Sequence, residues 1–72
     1  MKHLEWQFRN NKHIAYDFRD ETNSAQYEIK RYKGEWALYD LRSGKSVLFE
    51  QLEPDTLESV DTLKGIAEVL HV

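Results

Sequence analysis

Residues 35–49 read EWALYDLRSGKSVLF, and this stretch decides the fold that we predict. It indicates two strands that flank a turn at Ser43-Gly44, because Gly accepts the positive φ of tight hairpin turns. Both predicted strands are apolar on both faces. One predicted face carries Trp36, Leu38, Val47 and Phe49. The other face, including apolar residues just outside the stretch, carries Tyr32, Ala37, Tyr39, Leu41, Leu48 and Leu52. One helix covers only one face of a small sheet, so the second set needs a different cover.

Strict alternation of apolar and polar residues predicts two earlier strands, at about residues 3–9 and 12–19. We place Phe8 opposite Ile14, so that both side chains lie in the core. This pairing predicts a three-residue connection over residues 10–12. A two-residue Asn-Asn turn is rejected, because it would put Ile14 on the solvated face.

The remaining strands complete a meander. A third strand is predicted at about residues 25–33, followed by a tight turn at Lys33-Gly34 and by strands at about 35–42 and 46–52.

Beyond Pro54 the apolar period changes to three or four residues, which predicts an amphipathic helix at about residues 56–71. Residues 55–58 and 59–62 are both plausible helix starts, and Asp55 and Glu58 in the first have the spacing of a capping box. Gly65, inside the helix, is attributed to a close approach between helix and strand.

The predicted fold class is α+β, a five-stranded antiparallel meander followed by one C-terminal helix, in a single domain spanning residues 1–72. The helix is predicted to cover the face that carries Trp6, Tyr16, Ile29, Trp36 and Phe49.

Composition excludes several classes of function. The 72 residues include no cysteine, which excludes disulfides, thiolate metal sites and a cysteine nucleophile. No apolar run approaches the ~18 residues of a spanning helix, so we expect a cytoplasmic protein with no membrane partner. The net charge is −3 and uneven: residues 46–72 hold six acids and one lysine. We interpret that acidity as a solvated helix face.

The serine-rich turn at residues 43–46, SGKS, has the letters that end a phosphate-binding loop. Tyr39 stands where that motif requires its first glycine, and strand rather than helix is predicted afterwards. A hairpin turn is therefore the better interpretation.

The histidines have no metal-ligand spacing, and we interpret all three as exposed surface residues: His3, His13 and His71. A domain of this size is also expected to lack the bulk for a ligand cleft of ~300 Å³ or more. We therefore predict no enzyme activity, no catalytic residues, no cofactor, no metal and no small-molecule ligand.

The function that we predict is non-catalytic, an interaction or regulatory module whose partner is itself, as a homodimer, or an unidentified protein. The fifth strand is an open edge in this fold, and an exposed apolar patch typically marks an interface. The candidate interface residues are Tyr32, Tyr39, Leu41, Leu48 and Leu52. Alternatively, the helix or the C-terminal tail covers this face. The small size suits an accessory protein of a phage or mobile element.

Nucleic-acid binding is the alternative function. Basic residues gather on one sheet face and at the hairpin tips, and some known folds read DNA through a sheet. Acidic residues share the face, and a net-acidic domain is repelled by the phosphate backbone. The candidate nucleic-acid residues are Arg9, Lys12, Arg19, Lys30, Arg31 and Lys33.

Overall fold

The computed structural model describes residues 3–52 and 57–71, and contains one antiparallel sheet and one helix. The strands lie side by side in chain order: β1 (Leu4–Arg9), β2 (Lys12–Asp17), β3 (Ala25–Tyr32), β4 (Glu35–Asp40) and β5 (Val47–Leu52). The helix α1 (Leu57–Leu70) packs against β3, β4 and β5 on one face of the sheet. The predicted α+β meander is confirmed. The predicted capping box at Asp55 and the helix-preceding Pro54 lie outside the described residues.

The turn between β1 and β2 corrects the predicted register. Asn10 and Asn11 have φ values of 52° and 60°, so they form the two-residue turn that the alternation pattern argued against. Phe8 consequently opposes His13 rather than Ile14. The prediction was wrong because a type I′ turn requires two residues with positive φ, and adjacent asparagines supply them. The turn at residues 33–34, with φ values of 54° and 81°, is confirmed. The tight turn predicted at Ser43-Gly44 is instead a six-residue loop, 41–46, between the paired residues Asp40 and Val47.

The hydrophobic core lies between the sheet and α1. Ile29 and Leu38 oppose one another on the central strands and are fully buried, as is Leu63 on the helix. The buried cluster comprises Leu4, Ala15, Tyr27, Ile29, Trp36, Leu38, Val60, Leu63 and Ala67. Trp6 is partly buried and packs against it, so the predicted placement of Trp6, Ile29 and Trp36 is confirmed.

Tyr16 does not belong to this core. The corrected turn puts its neighbour Ala15 under the helix, fully buried, and Tyr16 opposite Glu5 on the face away from the helix. The prediction that Tyr16 and Ile14 lie on the helix-covered face was therefore wrong for one reason, the one-residue shift of the turn.

A bulge in β5 alters the other end of the predicted core. Leu38 opposes Glu50 while Tyr39 opposes Leu48, so Phe49 is an extra residue between them. Phe49 and Val47 are about half exposed, at 48% and 51%, and their assignment to the core was wrong.

Leu52 lies on the opposite face from the one predicted. It opposes Trp36 and packs against the buried cluster under the helix, because the bulge at Phe49 reverses the alternation along β5. Leu52 is therefore not part of the face away from α1.

Candidate interaction surfaces

The outer edge of β5 exposes three consecutive large apolar side chains. Val47, Leu48 and Phe49 have exposed fractions of 51%, 44% and 48%. In the described part of the chain β5 pairs only with β4, so its other edge presents unpaired backbone groups. Exposed apolar side chains on an open edge strand form a surface to which another strand can add.

One side of α1 adds apolar side chains beside this edge on the helix-covered face, whereas Leu48 projects from the opposite face. The Lys64 ammonium lies 5.7 Å from the Trp6 ring, and His71 contacts Asp17, so that side of the helix faces β1 and β2. Successive helical residues are 100° apart, which places Ile66 and Val69 on the other side, toward β5. Val69 is 77% exposed.

A shallow apolar groove of about 460 Å³ follows this side of the helix and is lined by Thr62, Gly65, Ile66, Val69 and Leu70. We use the name β5-side surface for Val47, Leu48, Phe49, Ile66 and Val69.

The face of the sheet away from α1 is less apolar than predicted. Tyr39 and Leu48 are directly opposed on β4 and β5, but the Lys30 ammonium lies 4.7 Å from the centre of the Tyr39 ring. Tyr39 lies opposite Glu28 of β3, and Tyr32 lies four residues beyond Glu28 on that strand, beside the turn at residues 33–34. Leu41 follows β4 and is half-buried. The predicted patch is therefore divided: the structure brings Tyr39 and Leu48 together and separates both from Tyr32 and Leu52.

A second surface lies between the two hairpin tips at one end of the sheet. The pairing of β2 with β3 ends at His13 and Ile29, although β3 continues to Tyr32. Beyond that point an open groove of about 770 Å³ separates the hairpins, contrary to the expectation that so small a domain lacks a ligand cleft. We call it the tip groove. Its lining residues are Phe8, Asn10, Asn11, Lys12, His13, Lys30, Arg31 and Trp36.

Aromatic rings form a continuous row along the tip groove. The Phe8 and His13 rings are 4.7 Å apart, and the His13 and Trp36 rings meet edge to face at 5.5 Å. The Arg31 guanidinium covers Trp36 at 5.1 Å from its ring centre. Phe8, at the outer end of the row, is 61% exposed.

His13 is held mainly in its neutral form. Burial lowers its pKa from the ordinary value of 6.5, and the positive charge of Lys64 lowers it further, while Asp61 opposes the shift. At neutral pH the ring is therefore an aromatic surface rather than a cation.

The structure gathers most of the predicted nucleic-acid residues at this end. Lys12, Lys30 and Arg31 line the tip groove, Arg9 precedes the first turn, and Lys33 lies within the second. Arg19 lies at the opposite end, where its guanidinium bonds to the Asp17 carboxylate at 2.8 Å.

Glu28 holds two of the lysines in place. Its carboxylate lies 3.2 Å from the Lys30 ammonium and 3.7 Å from that of Lys12, and its side chain is largely buried. A shared carboxylate lets two like charges lie side by side at the ends of neighbouring strands.

A polar cluster at the opposite end of the sheet has no counterpart among the sites predicted from sequence. His71, interpreted as an exposed residue, has a side chain only 11% exposed. Its Nε2 lies 2.7 Å from Asp17 Oδ2, and its Nδ1 lies 3.3 Å from the hydroxyl of the buried Tyr27. Hydrogen bonds from Arg19 and His71 lower the pKa of Asp17 well below its ordinary value, so this carboxylate is ionised at neutral pH.

Comparisons with protein-family models, with curated proteins and with solved structures find no match to this chain. Within residues 3–52 and 57–71, no group of three or more metal-ligating side chains is arranged to hold an ion. In the same ranges, no helix has the length and apolar character needed to cross a bilayer.

Proposed function

We propose that this protein is an interaction module that forms a homodimer by pairing the β5 edges of two copies. The observation that carries the proposal is the exposure of Val47, Leu48 and Phe49 together on an open edge strand. An apolar edge strand can add a strand from a second chain, and the bulge at Phe49 interrupts the regular ladder of β5 at one residue.

A second copy is compatible with this edge in both shape and charge. Antiparallel pairing centred on Leu48 sets Val47 of one copy opposite Phe49 of the other, which joins apolar groups directly. It also sets Glu50 of each copy opposite Ser46 of the other and Lys45 opposite Gln51, so no like charges are directly opposed across the edge. The same segment thus supplies both halves of the interface, as a twofold interface requires.

The helices add to the same contact. A twofold axis perpendicular to the sheet keeps both copies of α1 on the same face of a continuous ten-stranded sheet. The sides that carry Ile66 and Val69 then face one another across the axis. The apolar groove beside them, about 460 Å³, gives the opposing helix side chains a place to pack.

Sedimentation velocity at tens of micromolar tests the proposal. The wild-type chain is expected to sediment as a dimer, and the double variant Val47→Lys with Phe49→Lys as a folded monomer. Phe18→Lys is the matched control, because Phe18 is 64% exposed and lies outside β5 and α1, so its dimer should persist. A wild-type monomer at these concentrations, or a double variant that remains dimeric, would contradict β5 pairing.

A further inference from the structure

We propose that the tip groove binds single-stranded nucleic acid, with a base stacked on the exposed Phe8 ring and phosphates held by Lys12, Lys30 and Arg31. This site is separate from the β5-side surface, since it lies between the β1–β2 and β3–β4 hairpins. The two proposals can therefore fail independently.

The shape of the groove suits an extended polyanion. The β2–β3 ladder stops at His13, and the two hairpin tips diverge beyond it, so the groove is open along its length. Lys12 stands on one wall, with Lys30 and Arg31 on the other. None of the lining residues in the described part of the chain is acidic. A strand that passes between the tips would meet Lys12 on one side and Lys30 and Arg31 on the other, with the Glu28 carboxylate paired to both lysines.

The aromatic row suits unpaired bases. Base stacking on aromatic side chains tolerates any sequence, because every base presents a π-face. Phe8 is 61% exposed, and the His13 ring packs beside it at 4.7 Å in a tilted arrangement, so part of the Phe8 ring is open to a base. The side-chain amides of Asn10 and Asn11 beside it offer hydrogen-bond donors and acceptors to base edges and phosphates.

Duplex DNA fits this site less well than a single strand. Its bases are stacked inside the helix and cannot reach Phe8 without being unpaired. A duplex docked on the sheet face that carries Lys12 and Lys30 would also meet Glu5 and Glu28, which share that face. The overall charge of −3 acts weakly at the groove, because charges further away than about 8 Å are largely screened at physiological salt.

The test is fluorescence anisotropy with a labelled oligothymidylate of about a dozen nucleotides, close to the upper site size of one small binding fold. At low salt, we expect binding in the micromolar range. Phe8→Ala should weaken it by about tenfold, because the variant removes the ring on which a base stacks. Phe18→Ala is the matched control, since this phenylalanine is similarly exposed at the opposite end of the sheet and should leave the affinity unchanged.

The phosphate-binding lysines have a separate signature. The logarithm of the association constant falls with the logarithm of the salt concentration. In the double variant Lys12→Gln with Lys30→Gln, this slope should become less steep by about 1.4, or about 0.7 for each phosphate that is no longer neutralised. Lys45→Gln, in the β4–β5 loop, should leave that slope unchanged. Circular dichroism of each variant verifies that its fold is intact.

Four results would overturn the proposal. The first is no binding up to about 100 µM at low salt, and the second is an equal loss of affinity in Phe8→Ala and Phe18→Ala. The third is tighter binding of a duplex of the same length. The fourth is that inorganic polyphosphate, compared per phosphate, competes for the site as well as the oligonucleotide does. The last result would mean attraction by charge alone. The Val47→Lys, Phe49→Lys variant should still bind the oligonucleotide per chain, which separates this site from dimerisation.

Discussion

His71 Nε2 lies 2.7 Å from Asp17 Oδ2, and this contact joins the end of α1 to the end of β2 across 54 residues of sequence. The other ring nitrogen lies 3.3 Å from the hydroxyl of Tyr27, and the two rings meet edge to face at 5.5 Å. One side chain thus satisfies a buried hydroxyl and an ionised carboxylate at once. The contact fixes where the last turn of the helix rests on the sheet.

Replacement of His71 should therefore destabilise the fold. His71→Ala removes both hydrogen bonds and should lower the free energy of unfolding by about 1–2 kcal/mol, since each net hydrogen bond contributes about 0.5–1.5 kcal/mol. That is a large share of the roughly 3–5 kcal/mol expected of a domain of this size. Urea denaturation measures the change.

His71→Phe separates the two parts of the contact. It keeps an aromatic ring beside Tyr27 but removes the hydrogen bonds, so its stability should fall between those of the wild type and His71→Ala. An unchanged denaturation midpoint in His71→Ala would show that the contact with Asp17 contributes nothing to the fold.

Acid should unfold the protein through its paired aspartates. The pKa values of Asp17 and Asp40 are lowered below 3.8, chiefly by hydrogen bonds from Arg19 and Arg42 respectively. A carboxylate whose pKa is lower in the folded state stabilises the fold fully above its unfolded pKa, and this stabilisation is lost as the pH falls below that value. The contribution of these two carboxylates to the free energy of unfolding should therefore be constant near pH 7 and decline below about pH 4.

Asp17→Asn provides the control for the acid effect. Because the amide does not titrate, the variant should be less stable than the wild type near neutral pH, and the difference should shrink as the pH falls. Thermal melts from about pH 7 to about pH 2 follow both proteins. A difference that stays constant through this range would exclude Asp17 as a source of the acid sensitivity.

Gly34 and Gly65 should respond oppositely to alanine. The sequence suggested that Gly65 allows a close helix–strand approach, but a Cβ built there meets nothing within 4 Å, so that explanation is wrong. Gly65→Ala should therefore stabilise the fold by up to about 1 kcal/mol through helix propensity. Gly34 has a φ of 81°, where an L side chain is strained, so Gly34→Ala should destabilise by about 1 kcal/mol. A loss of stability in Gly65→Ala would indicate a contact for that face of the helix.

The element order could be predicted because each strand and the helix show their period locally. The sheet face on which each residue lies could not be predicted, because it depends on turn length and on bulges of one residue, which the alternation pattern does not reveal. The Asn10-Asn11 turn shifted β2 by one position, and the bulge at Phe49 reversed the alternation along β5. The small side chain of Ala15 gives little hydrophobic signal, although this residue is fully buried.

The candidate sites depend on the same events. Phe8 and His13 share a face, and so form the aromatic row of the tip groove, only because the turn has two residues. The exposure of Phe49 follows from its place in the bulge. The contact between His71 and Asp17 has no signal in the sequence at all, since it joins residues that are distant along the chain.

Substitutions at residues 14 and 15 distinguish the two registers directly. Ala15 is fully buried under α1, so Ala15→Leu should overpack the core and cost about 1–3 kcal/mol. Ile14 is half-buried on the other face, so Ile14→Ala should cost about 1 kcal/mol, less than the ~2–5 kcal/mol of a buried isoleucine. The register with a three-residue turn predicts the reverse order, because it buries Ile14 and exposes Ala15. Urea denaturation measures the free energy of unfolding of both variants. A greater loss of this free energy in Ile14→Ala than in Ala15→Leu would refute the Asn10-Asn11 turn.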